Sequence, residues 1–254
     1  MQKQIFLNIK MKTGIVVLNY DNDITRNMAD QVKGKVQFFS SKEKLENGYI
    51  VDNNIVKLCE NGIRRHIVES KNIMLRGKHN LENICAALAA TESLVDIDNQ
   101  AKAISTFNGV EHRLEFVREL DGVKWYNDSI ASSPTRTIAG LYSFDEKIVL
   151  IAGGYDKHLD YEPLAKPIVD NVSNLILIGG TSEKINNAVI RQLEKEDKEL
   201  PIYRCNSLQE AVNTAKEVAK QGEIVLLSPA SASFDMFKNF AERGNLYKQM
   251  VNEL

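Results

Sequence analysis

Two glycine-rich nucleotide-binding motifs are missing from this chain of 254 residues. Neither G-x-x-x-x-G-K-[ST] nor G-x-G-x-x-G occurs anywhere, because Gly34-Lys35 and Gly77-Lys78 both lack the upstream glycine that the first motif requires. The sequence therefore contains no recognisable start of a nucleotide-binding domain.

Cysteine, long apolar runs and an excess of positive charge are also scarce. The three cysteines lie far apart and lack Cys-x-x-Cys spacing, which argues against a disulfide framework and a zinc site. A formal net charge of −2 argues against general binding to nucleic acid or a membrane surface. No apolar run approaches the roughly 20 residues of a membrane span, and residues 1–4 lead into no signal peptide. We therefore expect a cytoplasmic protein with buried free thiols.

The chain up to residue 110 begins with strands and ends with helices. Helical spacing of apolar residues predicts a helix from His79, and a second helix is expected around Gln100 to Phe107. We expect five short strands that are separated by Asn-Asn, Asn-Gly and Asp-Asn turns and that pair in antiparallel fashion. They cover residues 14–19, 35–39, 49–51, 55–59 and 63–69.

Strands and helices alternate from about residue 111 onward. Such alternation predicts a mostly parallel sheet with helices on both faces. The strands cover residues 123–126, 148–152, 175–178, 202–205 and 224–227, and helices follow from 134, near 162–169, near 183–193, at 208–219 and from 234. We place a boundary near residues 108–111, which gives domains 1–110 and 111–254.

Polar segments follow three strands of the second domain, at residues 126–134, 153–157 and 228–235. Open α/β sheets bind ligands beyond the carboxyl ends of their strands, and hydroxyl residues that open a helix suit an anion. These loops predict a site for acidic or phosphorylated ligands. The strongest local signal comes from Ser231 and Ser233, with Phe240 and Arg243 farther along a long amphipathic helix.

Two of these loops admit a structural explanation beside the functional one. Asp128 suits a metal-bound nucleotide, and Ser132 suits a carboxylate or a phosphate. In the structural interpretation, both residues belong to the capped start of the helix that begins at Pro134. Lys157 is either a cation that binds a ligand or a solvated surface lysine. The preceding glycine pair favours the first interpretation, because glycine lets the backbone approach a ligand closely.

Two further pairs also have two interpretations. His112-Arg113 lies at the expected domain boundary. The Arg113 guanidinium there either pairs with a phosphate or forms an interdomain salt bridge with a carboxylate. Asn80 and Asn83 share one helix face, which suits an adenine edge or ribose, or they act as helix caps.

Taken together, six segments resemble the Mur ligase family in order and composition. The resemblance implies a Rossmann-like C-terminal domain, preceded by a truncated α/β remnant of the family's central ATPase domain. The matching segments are Val17 to Asp21, Gly77 to Asn83, Glu111 to Arg113, Trp125 to Pro134, Gly153 to Lys157 and Ser228 to Gly244.

The resemblance is strongest to members that add D-glutamate to UDP-N-acetylmuramoyl-L-alanine in peptidoglycan synthesis. It implies that ATP, with Mg²⁺, phosphorylates the substrate carboxylate and that the amine of D-glutamate attacks the acyl phosphate. The UDP-binding domain, P-loop and metal ligands of the family are expected before Val17. We therefore expect this chain alone to be inactive.

The resemblance also implies residue roles. Nucleotide-binding roles fall on Asn80, Asn83, Arg113 and Asp128, with no metal ligand assigned. Catalytic roles fall on Asp128, Arg113 and Lys157, and the D-glutamate pocket comprises Ser132, Lys157, Ser233, Phe234 and Phe240.

Two positions depart from the family pattern, and two alternatives stay open. Ile130 replaces a common lysine, and Tyr155 stands where aspartate is frequent. The first alternative is another ligase of the superfamily, such as a folylpolyglutamate synthase or a different Mur ligase. The second is a non-catalytic binding module from a degenerate gene. We expect no nucleic-acid or membrane partner for this chain.

Overall fold

A computed structural model describes residues 14–75 and 77–254. The chain divides into two compact units between Asn108 and Gly109. The domain boundary expected after residue 110 lies two residues beyond this point.

The first unit contains a five-stranded sheet of mixed direction. In sheet order its strands are β1 (Ile15–Asn19), β2 (Lys35–Ser40), β3 (Gly48–Asp52), β4 (Ile55–Glu60) and β5 (Ile63–Glu69). The expectation of antiparallel pairing is wrong for β1 to β3, which are parallel neighbours, and right for β3 to β5. For β1 and β2 the physical reason is the connection length, because residues 20–34 contain helix α1 (Asp23–Asn27) and a 3₁₀ turn and can return the chain in parallel.

Tight asparagine turns join the antiparallel strands of this sheet. Asn53 and Asn54, with φ of 51° and 60°, connect β3 to β4, while Asn61 and Gly62, with φ of 51° and 79°, connect β4 to β5. Left-handed backbone at both central positions is typical of hairpin turns that match strand twist. The Asn-Asn and Asn-Gly turns that the sequence predicts are therefore confirmed at these two positions.

Two helices complete the first unit, α2 (Lys78–Thr91) and α3 (Ile97–Thr106). The spacing that predicted α2 also identifies its buried face. This face packs with the sheet into one core and consists of Leu81, Ile84, Cys85, Leu88 and Ala89.

The second unit contains a six-stranded sheet with helices on both faces, as expected. Its strands, in sheet order, are β10 (Ile202–Cys205), β9 (Val172–Ile178), β8 (Ile148–Gly153), β11 (Ile224–Leu227), β7 (Val123–Asn127) and β6 (Glu115–Leu120). All neighbours are parallel except β6 and β7. Buried apolar residues form one core on each face of the sheet.

The helices of the second unit are α4 (Pro134–Leu141), α5 (Glu162–Asn171), α6 (Ser182–Glu196), α7 (Leu208–Val218) and α8 (Phe240–Glu253). The expected start of α8 at Phe234 is wrong. Asn239 caps the helix by accepting a hydrogen bond from Glu242 N at 2.8 Å, and the Glu242 carboxylate accepts from Lys238 N at 2.6 Å. This reciprocal capping fixes the start at Phe240 and leaves residues 228–239 as a loop.

None of the helices in the described ranges is long and apolar enough to cross a membrane.

Candidate functional site

The five residues expected to bind D-glutamate lie on loops at one edge of the second sheet. Ser132 follows β7, Lys157 follows β8, Ser233 and Phe234 follow β11, and Phe240 opens α8. Ser233 is buried and Ser132 half-buried, while Lys157 is exposed and the two phenylalanines are 61% and 39% exposed. Because these strands are parallel, their carboxyl ends meet at the same edge, and the fold brings the five positions to one side of the sheet.

Polar groups at this edge are available to a ligand. Among the described residues, no carboxylate lies within ion-pair distance of the Lys157 ammonium, and the Ser132 and Ser233 hydroxyls form no hydrogen bond. A cation and two hydroxyl groups are the chemistry that binds a carboxylate.

Ser231 has an internal role, contrary to its expected place in an anion pocket. Its hydroxyl lies 2.9 Å from Tyr161 Oη and 2.8 Å from Thr181 Oγ1. Thr181 Oγ1 also accepts a hydrogen bond from Gly154 N at 3.1 Å. Ser231 thus connects the loops that follow β8, β9 and β11, and its side chain is engaged by protein groups.

Arg243 on α8 connects two of the same loops. The guanidinium is 1% exposed and donates to Ser129 Oγ and O at 3.0 and 2.8 Å. It also donates to Ser231 O at 3.3 and 3.2 Å and to Ala232 O at 3.1 Å. Burial lowers the pKa of Arg243 to about 10, while the charge of Asp235 acts in the opposite direction. Arg243 therefore fixes the loops after β7 and β11 and is not placed to meet a phosphate.

The glycine pair after β8 is explained by contact with neighbouring backbone. Gly153 and Gly154 have φ of 112° and 145°, which L side chains rarely adopt. A Cβ on Gly153 would lie 2.0 Å from Ile178 O, and one on Gly154 would lie 2.3 Å from Ala232 O. The two glycines thus allow neighbouring backbone to approach closely, whereas the sequence had predicted the close approach of a ligand.

Asp128 is buried directly after β7. Its Oδ2 accepts a hydrogen bond from Ser228 Oγ at 2.7 Å, and its Oδ1 accepts one from Leu114 N at 3.3 Å. Burial raises the pKa of Asp128 to about 7, although both hydrogen bonds and the nearby charge of Arg113 act to lower it. Asp128 therefore titrates near neutral pH and holds the segment that carries Arg113.

The segment before β6 is fixed by a buried polar network. Asn127 Nδ2 donates to His112 Nδ1 at 2.9 Å and to Glu115 Oε2 at 3.0 Å, while His112 N donates to the same carboxylate oxygen at 2.9 Å. His112 has a φ of 64°, and burial lowers its pKa. The network leaves Arg113 exposed, without a carboxylate partner among the described residues of its own unit.

Three groups of this segment have metal-binding spacing. The ligand atoms of Glu111, His112 and Glu115 lie within 4.8 Å of one another. Lys248 Nζ, however, donates to Glu111 Oε1 at 2.5 Å and to Glu115 Oε1 at 3.0 Å. These carboxylates already have a cation as partner, so the cluster is not assigned to a metal.

Asn80 and Asn83 lie on one face of α2, as their spacing predicts. Asn83 Nδ2 donates to Asn80 Oδ1 at 3.2 Å, and Asn80 is buried. The capping interpretation is wrong because Gly77 occupies the N-cap position. Likewise, Ser133 occupies the N-cap of α4 without a side-chain capping bond.

Asn83 also borders an apolar cavity within the first unit. The cavity, about 450 Å³ in volume, lies between α2 and α3 and is lined by Ile84, Leu88, Gln100, Ile104 and Phe107 among others. No motif in the sequence marks this cavity, because it arises from the packing of two helices and its lining is mostly apolar.

Comparison with known families and proteins agrees with this architecture. Residues 112–231 match the family model described as "Mur ligase, glutamate ligase domain". The UDP-N-acetylmuramoylalanine--D-glutamate ligase of Acetivibrio thermocellus is 50% identical over 241 residues, which cover 94% of this chain and 52% of that protein. The enzyme of the same name from Clostridium botulinum is 48% identical over 254 residues, or 100% of this chain and 54% of that protein. The chain spans about half the length of the curated relatives it matches.

Solved structures share the fold at low sequence identity. UDP-N-acetylmuramate-alanine ligase MurC from Thermotoga maritima superposes with a TM-score of 0.63 at 17% identity, covering 94% of this chain and 52% of that one. MurF ligase from the same organism, in complex with ADP, gives a TM-score of 0.65 at 17% identity, covering 99% and 56%. From its family match and its relatives, this chain belongs to the Mur ligase family, and its second unit contains the family's glutamate ligase domain.

Proposed function

We propose that this chain is part of an ATP-dependent ligase that adds D-glutamate to UDP-N-acetylmuramoyl-L-alanine in peptidoglycan synthesis, and that its second unit binds the D-glutamate. The observation that carries the proposal is the set of available groups at the sheet edge. Within the described part of the chain, Lys157 has no carboxylate at ion-pair distance, and the Ser132 and Ser233 hydroxyls form no hydrogen bond. Protein hydrogen bonds hold the three loops that carry these residues in place. The relatives named D-glutamate ligases supply the identity of the amino acid.

In the proposed site the Lys157 ammonium and the two serine hydroxyls bind the carboxylates of glutamate. Charge-assisted hydrogen bonds are short and strong, so they fix the position of the amine relative to the acyl group. Phe234 and Phe240 contribute apolar surface beside these polar groups. Binding at several points orients the amine for attack on an activated carboxylate, which lowers the entropy cost of the reaction.

Bound ATP with Mg²⁺ supplies the phosphoryl group that activates the substrate carboxylate. The exposed guanidinium of Arg113 fits a phosphate, because among the described residues of its unit it has no carboxylate partner. Asp128 is only 4% exposed, and each of its carboxylate oxygens accepts a protein hydrogen bond, so we assign it a positioning role and no direct contact with the metal. Its proposed contribution is to position Arg113 through Leu114 N, and Asn80 and Asn83 are the proposed contacts on the adenine side.

A titration of the ¹⁵N-labelled chain with D-glutamate tests the binding proposal, with L-glutamate as the stereochemical control. We expect saturable, D-selective shift changes at Ser132, Lys157 and Ser233. Lys157→Met should weaken binding at least tenfold, because a charge-assisted hydrogen bond contributes about 1.5–3 kcal/mol. Lys195→Met, which removes an exposed lysine from α6, should leave the affinity unchanged. Equal responses to both enantiomers, or none, contradict the proposal.

A further inference from the structure

We propose that Tyr155 forms, together with Phe234, an aromatic wall against which the carbon chain of the incoming amino acid packs. This inference rests on the proposed function and assigns a role to a side chain for which the family pattern provides none. The wall would confer selectivity for the shape of the ligand between its two charged ends.

The backbone of Tyr155 is fixed against the loop that carries the proposed ligand-binding residues. Tyr155 N donates to Ala232 O at 2.9 Å, and these residues form an isolated antiparallel bridge. Ala232 directly precedes Ser233, while Lys157 lies two residues after Tyr155. The tyrosine is therefore anchored between the segment with the cation and the segment with the hydroxyl.

The ring of Tyr155 extends this contact to the next residue of the loop. Its centroid lies 5.9 Å from that of Phe234, with an interplanar angle of 72°. Edge-to-face pairs of this geometry are favourable and restrict both rings. The two side chains thus form one surface of defined shape on the two loops.

This aromatic surface is largely uncovered. Tyr155 is 45% exposed and Phe234 is 61% exposed, although each ring already contacts the other. Apolar surface gains stabilisation when a ligand removes it from water, and the methylene groups of glutamate offer apolar atoms between two carboxylates. A ligand whose carboxylates reach Lys157 and Ser233 would carry its methylenes past this surface.

Affinity measurements on Tyr155 variants test the wall. Tyr155→Ala should weaken D-glutamate binding about five- to tenfold, whereas Tyr155→Phe, which keeps the ring, should bind like the unsubstituted chain. Tyr142→Ala is the matched control, because Tyr142 is 58% exposed but lies at the opposite end of α4 from the binding loops. Its affinity should not change.

A direct contact measurement keeps the proposal testable if Tyr155→Ala does not fold. In the unsubstituted chain we expect intermolecular nuclear Overhauser effects between the methylene protons of D-glutamate and the ring protons of Tyr155. Binding of D-glutamate without these effects, or with equal affinity in folded Tyr155→Ala, overturns the wall but leaves the proposed function intact. Absence of binding by the unsubstituted chain overturns the proposed function itself.

Discussion

Replacement of Arg243 by methionine should destabilise the second unit by about 4 kcal/mol. The guanidinium makes five N–H···O contacts, three of its acceptor groups being backbone carbonyls of the loops after β7 and β11. At about 1.5 kcal/mol for each charge-assisted contact, the low end of the usual range, these contribute roughly 7 kcal/mol. Burial also disfavours the charged guanidinium, as its lowered pKa of about 10 indicates, and methionine avoids that cost, so we expect the net loss to be smaller, about 4 kcal/mol.

Fluorescence of Trp125 can isolate this effect in a urea titration. It is the one tryptophan of the chain and is buried in the second unit, so its emission reports the unfolding of that unit. Arg204→Met, which removes an exposed arginine whose ion pair with Glu183 is also exposed, is the control and should cost under about 1 kcal/mol. If Arg243→Met costs as little stability as the control, the proposed stabilisation of the two loops by Arg243 is refuted. We further expect amide exchange to accelerate more in residues 129–132 and 231–233 than in the central strands, because the carbonyl groups of these loops lose the donor that holds them.

Three other predictions concern single positions in the second unit. Asp128 has a folded pKa of about 7 against 3.8 for the free group, so protonation stabilises the fold and stability should fall by up to about 4 kcal/mol between pH 4 and 7. Asp128→Asn should flatten that dependence in urea titrations, and an unchanged slope contradicts the raised pKa. Gly244→Ala should lower the thermal midpoint by several degrees, since the added Cβ would lie 2.3 Å from His112 Nδ1. Gly180→Ala is the control and should cost far less, because its added Cβ would meet its nearest atom at 3.5 Å. Asp197→Gly should stabilise by about 0.5–1 kcal/mol because Asp197 ends α6 with a φ of 50°, and a loss of thermal midpoint argues against strain there.

Strands of the second sheet were predictable because continuous apolar runs mark strands that are buried on both faces. Ile224–Leu227, in which every residue is buried, has the bounds that the sequence indicated. β6 was missed because Glu115–Leu120 is an edge strand with half-buried and exposed positions, which weakens its apolar pattern. Strand direction in the first unit was mispredicted because direction depends on the connections and not on the strands themselves.

Residue roles at the site were harder to predict than the elements that carry them. Ser231 and Ser233 have the same side chain two positions apart, yet one hydroxyl lies within a buried network and the other has no partner among the described residues. Sequence spacing could not separate them, because the difference arises from Tyr161 and Thr181 on distant elements. Arg243 likewise carries no local sign that backbone carbonyls surround its guanidinium.

The position of β11 has a consequence for biosynthesis. This strand lies between β7 and β8 and pairs with both, although it is the last strand of the unit along the chain. Until residue 227 has left the ribosome, the hairpin of β6 and β7 and the ribbon of β8, β9 and β10 have no strand to join them. Each piece exposes strand edges during that interval, which makes it a target for chaperones and for mispairing. The sheet is therefore completed late in translation and in nearly one step. Only then do the three loops of the proposed ligand site lie at the same edge of one sheet.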